Sequence, residues 1–74
     1  MDEFELVGYY FDDMNDLENL IEDCSGDVVY FDSEKLIESY NGKPVMVARL
    51  TNSIKDYYIY YDKKTREIVD AEIY

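Results

Sequence analysis

Histidine and tryptophan are absent from this 74-residue chain, which has one cysteine, one proline and three glycines. The lack of histidine removes the commonest general base of enzymes and the commonest metal ligand. A single cysteine cannot form an internal disulfide, and three scattered glycines do not make a phosphate-binding loop. We therefore expect a protein that is not an enzyme and that holds no metal or other cofactor.

Long apolar runs are also missing. No segment approaches the roughly 20 apolar residues that are needed to cross a bilayer, and an acidic surface is repelled by anionic lipid headgroups. The first residues, MDEFEL, lack the basic and apolar regions of a signal peptide. These features predict a cytoplasmic protein without membrane association, and the lone cysteine fits a reducing compartment.

Charge is distributed very unevenly along the chain. Thirteen of the 18 acidic side chains lie in residues 1–40 with a single base, Lys35, whereas residues 41–74 hold five acids and six bases. Nearly all of the formal net charge of −11 therefore comes from the first forty residues, where like-charge repulsion opposes folding. We expect this acidity to serve the binding of a basic partner; the alternative is that it only maintains solubility.

One helix is predicted near the start of the chain. Apolar residues recur at spacings of three and four over residues 14–24, which is the pattern of a helix with one face on the core. Cys24 falls on that face, so we expect it to be buried. Ser25-Gly26 is expected to end the helix. The candidate N-caps are Asp12, Asp13 and Asn15.

The other segments are rich in aromatic and β-branched residues, which are typical of strands. Strands are predicted at 4–11, 27–31, 35–40, 45–50, 54–61 and 67–73. Asn41-Gly42 predicts a tight hairpin, and the alternative for residues 33–40 is a short helix capped by Ser33. The polar residues 62–66 predict a second hairpin. The whole chain, 1–74, is thus predicted to form one acidic α+β domain, with a single helix packed on an antiparallel β-sheet of about four to six strands.

The acidic residues of the predicted helix form a candidate binding surface. At about 100° per residue they fall outside the apolar stripe, and residues three or four apart are about 5–6 Å apart, close to the spacing of phosphates on a nucleic-acid strand. Such a row can imitate a phosphate backbone and bind a groove lined with Lys and Arg. The predicted row consists of Asp12, Asp13, Asp16, Glu18, Glu22 and Asp23, extended by Asp27, Asp32, Glu34 and Glu38.

Tyrosine, which occurs nine times, provides a second candidate surface. On the predicted strand 54–61, Tyr58 and Tyr60 point away from their odd-numbered neighbours, so both faces of that strand carry aromatic rings. Because tyrosine is enriched at binding hot spots, we expect Tyr58 and Tyr60 to lie at an interface. Direct nucleic-acid binding is not expected, since the net charge opposes it.

In size, charge and the acidic helix at 12–23, the chain resembles small acidic phage-type anti-defence proteins, such as anti-CRISPR proteins and DNA-mimic anti-restriction proteins. The resemblance implies a non-catalytic inhibitor that occupies the basic nucleic-acid-binding or PAM-recognition groove of a CRISPR effector or another bacterial defence nuclease. One alternative is an immunity or antitoxin-like protein that caps a basic toxin. Another is a homodimeric accessory domain in which an edge strand, 54–61, pairs across a two-fold axis.

Overall fold

The computed structural model describes residues 6–74, in which one helix packs against one face of an antiparallel sheet. The elements are α1 Met14–Ser25, β1 Tyr30–Tyr40, β2 Lys43–Thr51, β3 Asp56–Asp62 and β4 Ile68–Ile73. The four strands lie in the order β1-β2-β3-β4, so each pairs with its neighbours along the chain. The predicted α+β fold, with its single helix and antiparallel sheet, is confirmed.

Of the three candidate N-caps of helix α1, the structure selects one, and the helix ends at Gly26 as predicted. Asp13 is the N-cap, and its carboxylate accepts a hydrogen bond from the backbone N–H of Asp16 at 2.9 Å. Gly26 ends the helix with a φ of 82°, a left-handed conformation that glycine adopts without steric cost. Both cap residues satisfy backbone groups that an isolated helix would leave without partners.

Cys24 is exposed, so the prediction that it is buried is wrong. Leu17 and Ile21 are the helix residues that are fully buried. Cys24 lies on the same side of the helix but one turn later, which means that the packed part of α1 stops before its last turn.

The core lies between α1 and the face of the sheet that we call the inner face. The register pairs Ala48 with Ile59 and Leu50 with Tyr57, so alternate residues of the two central strands point toward the helix. The buried cluster consists of Leu6, Phe11, Leu17, Ile21, Val29, Ala48, Leu50, Tyr57, Ile59, Tyr61 and Ile68. The opposite side of the sheet is called the open face below.

The predicted first strand, 4–11, is wrong over the part that can be assessed. Residues 6–11 contain a turn and one isolated bridge, Tyr10 with Glu67, whereas residues 4 and 5 lie outside the described part of the chain. Gly8 has a φ of 96°, which turns the backbone away from an extended path. Leu6 and Phe11 enter the core on either side of this turn. Backbone hydrogen bonds of 2.8 Å join Gly8 and Tyr9 to Ile68 of β4, so the segment is held by two core side chains and a short backbone contact without forming a strand.

The predicted strands 27–31 and 35–40 are replaced by one strand, β1, and the alternative of a short helix at 33–40 is wrong. A bulge between Phe31 and Ser33 keeps the strand paired with β2 through the polar stretch. Asn41 and Gly42 have φ values of 53° and 84°, as a two-residue hairpin with a type I′ turn requires. The second hairpin, between β3 and β4, is also confirmed.

Strand β3 lies inside the sheet and not at its edge. It pairs with β2 on one side and with β4 on the other, so the prediction that 54–61 is an edge strand open to dimer pairing is wrong. The physical reason is the second hairpin, which brings β4 against β3 and uses its remaining backbone groups. The edges of the sheet are β1 and β4.

Candidate binding surfaces

The outer side of α1 and its N-cap carries six acidic residues that we call the acidic helix face. Four of them are exposed and two, Asp16 and Glu18, are half-buried. The acidic helix face consists of Asp12, Asp13, Asp16, Glu18, Glu22 and Asp23. All six predicted helix carboxylates therefore lie on α1 or directly before it, at positions that are not buried.

Three of these carboxylates have a role within the fold. Asp13 caps the helix, and the Asp16 carboxylate accepts the backbone N–H of Asp12 at 2.9 Å. Glu18 accepts the backbone N–H of Phe31 at 2.8 Å, which joins the helix to the free side of β1. Their replacement would disturb the fold as well as any binding.

Glu22 and Asp23, in contrast, lie where a negative charge is unfavourable. They are exposed near the C-terminal end of α1, and no basic residue occurs in its last turn. The helix dipole places partial negative charge at that end, and Glu22 also lies four residues after Glu18, a repulsive spacing. Among residues 6–74, no ion pair joins a base to the acidic helix face. The two charges thus lower the stability of the fold.

Asp27, which was predicted to extend the acidic row, is engaged with β3 and the loop before it. Its carboxylate accepts the Tyr57 hydroxyl at 2.6 Å and lies 3.2 Å from the Lys55 ammonium. These two contacts, the Tyr57 hydrogen bond first, hold the pKa of Asp27 below its ordinary value. Asp27 therefore ties the end of the helix to the sheet.

Two further members of the predicted row also have internal partners. Asp32 pairs with Arg49 at 2.6 Å, and Arg49 in turn contacts Asp56 at 3.1 Å. Glu34 accepts the hydroxyl of Tyr61 at 2.7 Å. Glu38 is exposed on the edge strand β1. The carboxylates beyond the helix are therefore dispersed over the sheet and do not prolong the helix face as one free row.

The open face of the sheet carries a group of tyrosines. Tyr58 and Tyr60 point away from the helix, as predicted, because their β3 neighbours Tyr57, Ile59 and Tyr61 are the buried ones. The ring of Tyr40, from β1, stacks on Tyr60 with centroids 5.2 Å apart. Tyr74, just after β4, meets Tyr58 edge-on at 5.4 Å. The aromatic surface therefore extends across the sheet from β1 to β4.

Two carboxylates of β4 lie among these rings. The Tyr40 hydroxyl donates to Asp70 at 2.6 Å, and the hydroxyls of Tyr60 and Tyr74 both donate to Glu72 at 3.1 Å. The bond to Asp70 is the main cause that raises the pKa of Tyr40 to about 12. At neutral pH the hydroxyls are therefore protonated donors, and the negative charge rests on the carboxylates.

Four residues of this surface were not among the predicted site residues: Tyr40, Asp70, Glu72 and Tyr74. The register places Tyr58 opposite Glu72 and Tyr60 opposite Asp70. Local sequence does not determine which residues of two strands lie opposite each other. The spacing of Asp70 and Glu72, two residues apart in a strand, was the signal that these two share a face.

Residues 6–74 contain no cluster of ligating side chains that could hold a metal ion. The helix in this part of the chain, α1, is not long and apolar enough to cross a membrane. Comparisons of the chain with protein-family models, with curated proteins and with solved structures found no match. The surfaces themselves must therefore carry any functional inference.

Proposed function

We propose that this chain is a non-catalytic binding protein that inhibits a bacterial defence nuclease, such as a CRISPR effector, by docking its acidic helix face in the basic groove that binds nucleic acid. The observation that supports this proposal most is the position of Glu22 and Asp23. The fold does not use these charges, and they oppose the helix dipole. A basic partner explains why they are present.

The electrostatics of the whole chain support the same proposal. A net charge of −11 accelerates encounter with a basic groove by long-range steering, and ionic strength weakens that steering. The carboxylates of successive helical turns are about 5–6 Å apart, so several can meet Lys and Arg side chains that would otherwise hold phosphates. Charge-assisted hydrogen bonds to those bases would stabilise the complex.

The test is capture of partners from a lysate of a bacterium with active CRISPR and restriction systems, at low and high salt. Glu22→Lys and Glu67→Lys change the net charge equally, but only Glu22 lies on the acidic helix face. The proposal predicts that the wild type and Glu67→Lys retain a nucleic-acid-binding protein at low salt and that Glu22→Lys loses it. Equal retention by both variants would overturn the proposal, as would the capture of nothing.

Strand β1 favours a second candidate function, a homodimeric accessory domain. It is an edge strand of 11 residues in which all but Ile37 and Tyr40 are exposed, and such edges are templates for pairing with another chain. Glu18 occupies one backbone N–H of this edge, that of Phe31. A molar mass that rises with protein concentration would support the dimer, whereas a constant monomer mass would exclude it.

A further inference from the structure

We propose that the open face is a second docking surface, which binds arginine side chains of a basic partner protein among the tyrosine rings and the carboxylates of Asp70 and Glu72. This inference rests on the proposed function and goes further, because it names the chemical group of the partner that is recognised. The surface, called the tyrosine–carboxylate face, consists of Tyr40, Tyr58, Tyr60, Asp70, Glu72 and Tyr74.

The rings and carboxylates are interleaved by the register of β3 and β4. Tyr58 lies opposite Glu72 and Tyr60 opposite Asp70, so each carboxylate has an aromatic ring on the neighbouring strand. Tyr74 is the most open member, with 70% of its surface exposed. Val45 and Val47 also belong to this side of the sheet and are only 3% and 6% exposed, which gives the face an apolar floor.

Both carboxylates retain acceptor capacity. Glu72 uses Oε1 for its two tyrosine hydroxyls, which leaves Oε2 for an incoming donor, since a carboxylate offers about four lone-pair sites. Asp70 accepts the Tyr40 hydroxyl at Oδ2 and the backbone N–H of Ala71 at Oδ1. No base of residues 6–74 forms an ion pair with either residue, so the charge of both carboxylates is available to an external cation.

Arginine fits this arrangement better than lysine. A guanidinium is planar, stacks on an aromatic ring and binds a carboxylate through two parallel hydrogen bonds, whereas an ammonium is a compact, strongly hydrated charge. The tyrosines are already held by their hydroxyl bonds and ring contacts. Binding therefore orders few side chains, which lowers its entropic cost.

A second copy of this chain does not provide the arginine. The sequence has two arginines, Arg49 and Arg66. Arg49 is paired with Asp32 and Asp56, while Arg66 donates to a backbone carbonyl and lies over the ring of Phe11 at 5.9 Å. Both guanidinium groups are thus held by contacts within their own chain, and two copies with a net charge of −11 repel each other. The occupant is a different, basic protein.

The experiment measures the affinity of the whole chain for a poly-arginine peptide and a poly-lysine peptide of equal length, by calorimetry at low and moderate salt. We expect the wild type to bind the arginine peptide about tenfold more tightly. Asp70→Asn with Glu72→Gln should abolish this preference. Glu22→Gln with Asp23→Asn removes the same charge from the acidic helix face. This variant should weaken the binding of both peptides equally, so that the preference for the arginine peptide remains.

A second variant separates a loss of binding from a loss of folding. Tyr74→Leu removes an exposed ring from the surface and should reduce the arginine preference while leaving the circular dichroism spectrum unchanged. Equal affinity of the wild type for both peptides, no binding of either peptide, or an unchanged preference in the Asp70/Glu72 variant would overturn the inference. If only the helix variant weakens binding, the open face is excluded and the proposed function stands.

Discussion

Neutralising Glu22 and Asp23 should stabilise the protein. Each charge lies near the negative end of the α1 dipole, which costs about 0.3–1 kcal/mol for an exposed group. Glu22 also repels Glu18 one turn earlier, at about 0.2–0.5 kcal/mol. The variant Glu22→Gln with Asp23→Asn should therefore gain about 1–2 kcal/mol in the free energy of unfolding. For a domain of this size that corresponds to a rise in Tm of roughly 4–16 °C.

Thermal unfolding followed by circular dichroism at low salt measures this gain directly. The gain should shrink at high salt, because exposed charges are screened there. Glu67→Gln removes one charge outside the helix and is compared with the single variant Glu22→Gln; its Tm should change little. An unchanged or lower Tm in the helix variant at low salt would refute the reasoning that these charges oppose folding.

Three other outcomes are expected. Gly42→Ala should cost about 1–2 kcal/mol, because the φ of 84° at this turn is unfavourable for a residue with a Cβ; an unchanged urea midpoint would contradict the type I′ turn. A maleimide reagent should label Cys24 rapidly in the native protein, since the thiol is exposed, whereas labelling only on unfolding would contradict that exposure. Finally, the folded state favours the protonated hydroxyl of Tyr40, whose pKa is raised to about 12. The free energy of unfolding should therefore fall as the pH rises from about 10, the ordinary pKa of tyrosine, through about 12. A circular dichroism spectrum that is unchanged above pH 12 would contradict this.

The parts of the fold that sequence predicted correctly depend on local chemistry. The start of α1 follows from the hydrogen bond of Asp13 to a backbone group three residues away, and its end from the conformational freedom of Gly26. The Asn41-Gly42 turn likewise requires only the two residues that form it. Periodicity then identified Leu17 and Ile21 as core positions.

Contacts between distant parts of the chain account for most of what was not predicted. Glu34 accepts a hydrogen bond from the hydroxyl of Tyr61, 27 residues away, and Asp70 accepts one from the hydroxyl of Tyr40, 30 residues away. Local sequence cannot indicate such distant partners. The interior position of β3 depends on β4 pairing beside it. In each case the decisive partner lies on another element.

Displacement by DNA is the most direct test of the proposal that the acidic helix face imitates nucleic acid. A partner captured by the immobilised chain at low salt would be exposed to increasing amounts of short duplex DNA at constant ionic strength. If both compete for one basic groove, the DNA should release the partner, and the milder Glu22→Gln variant should lose it at lower DNA concentrations than a Glu67→Gln control. A partner that stays bound in excess DNA would contradict the proposal.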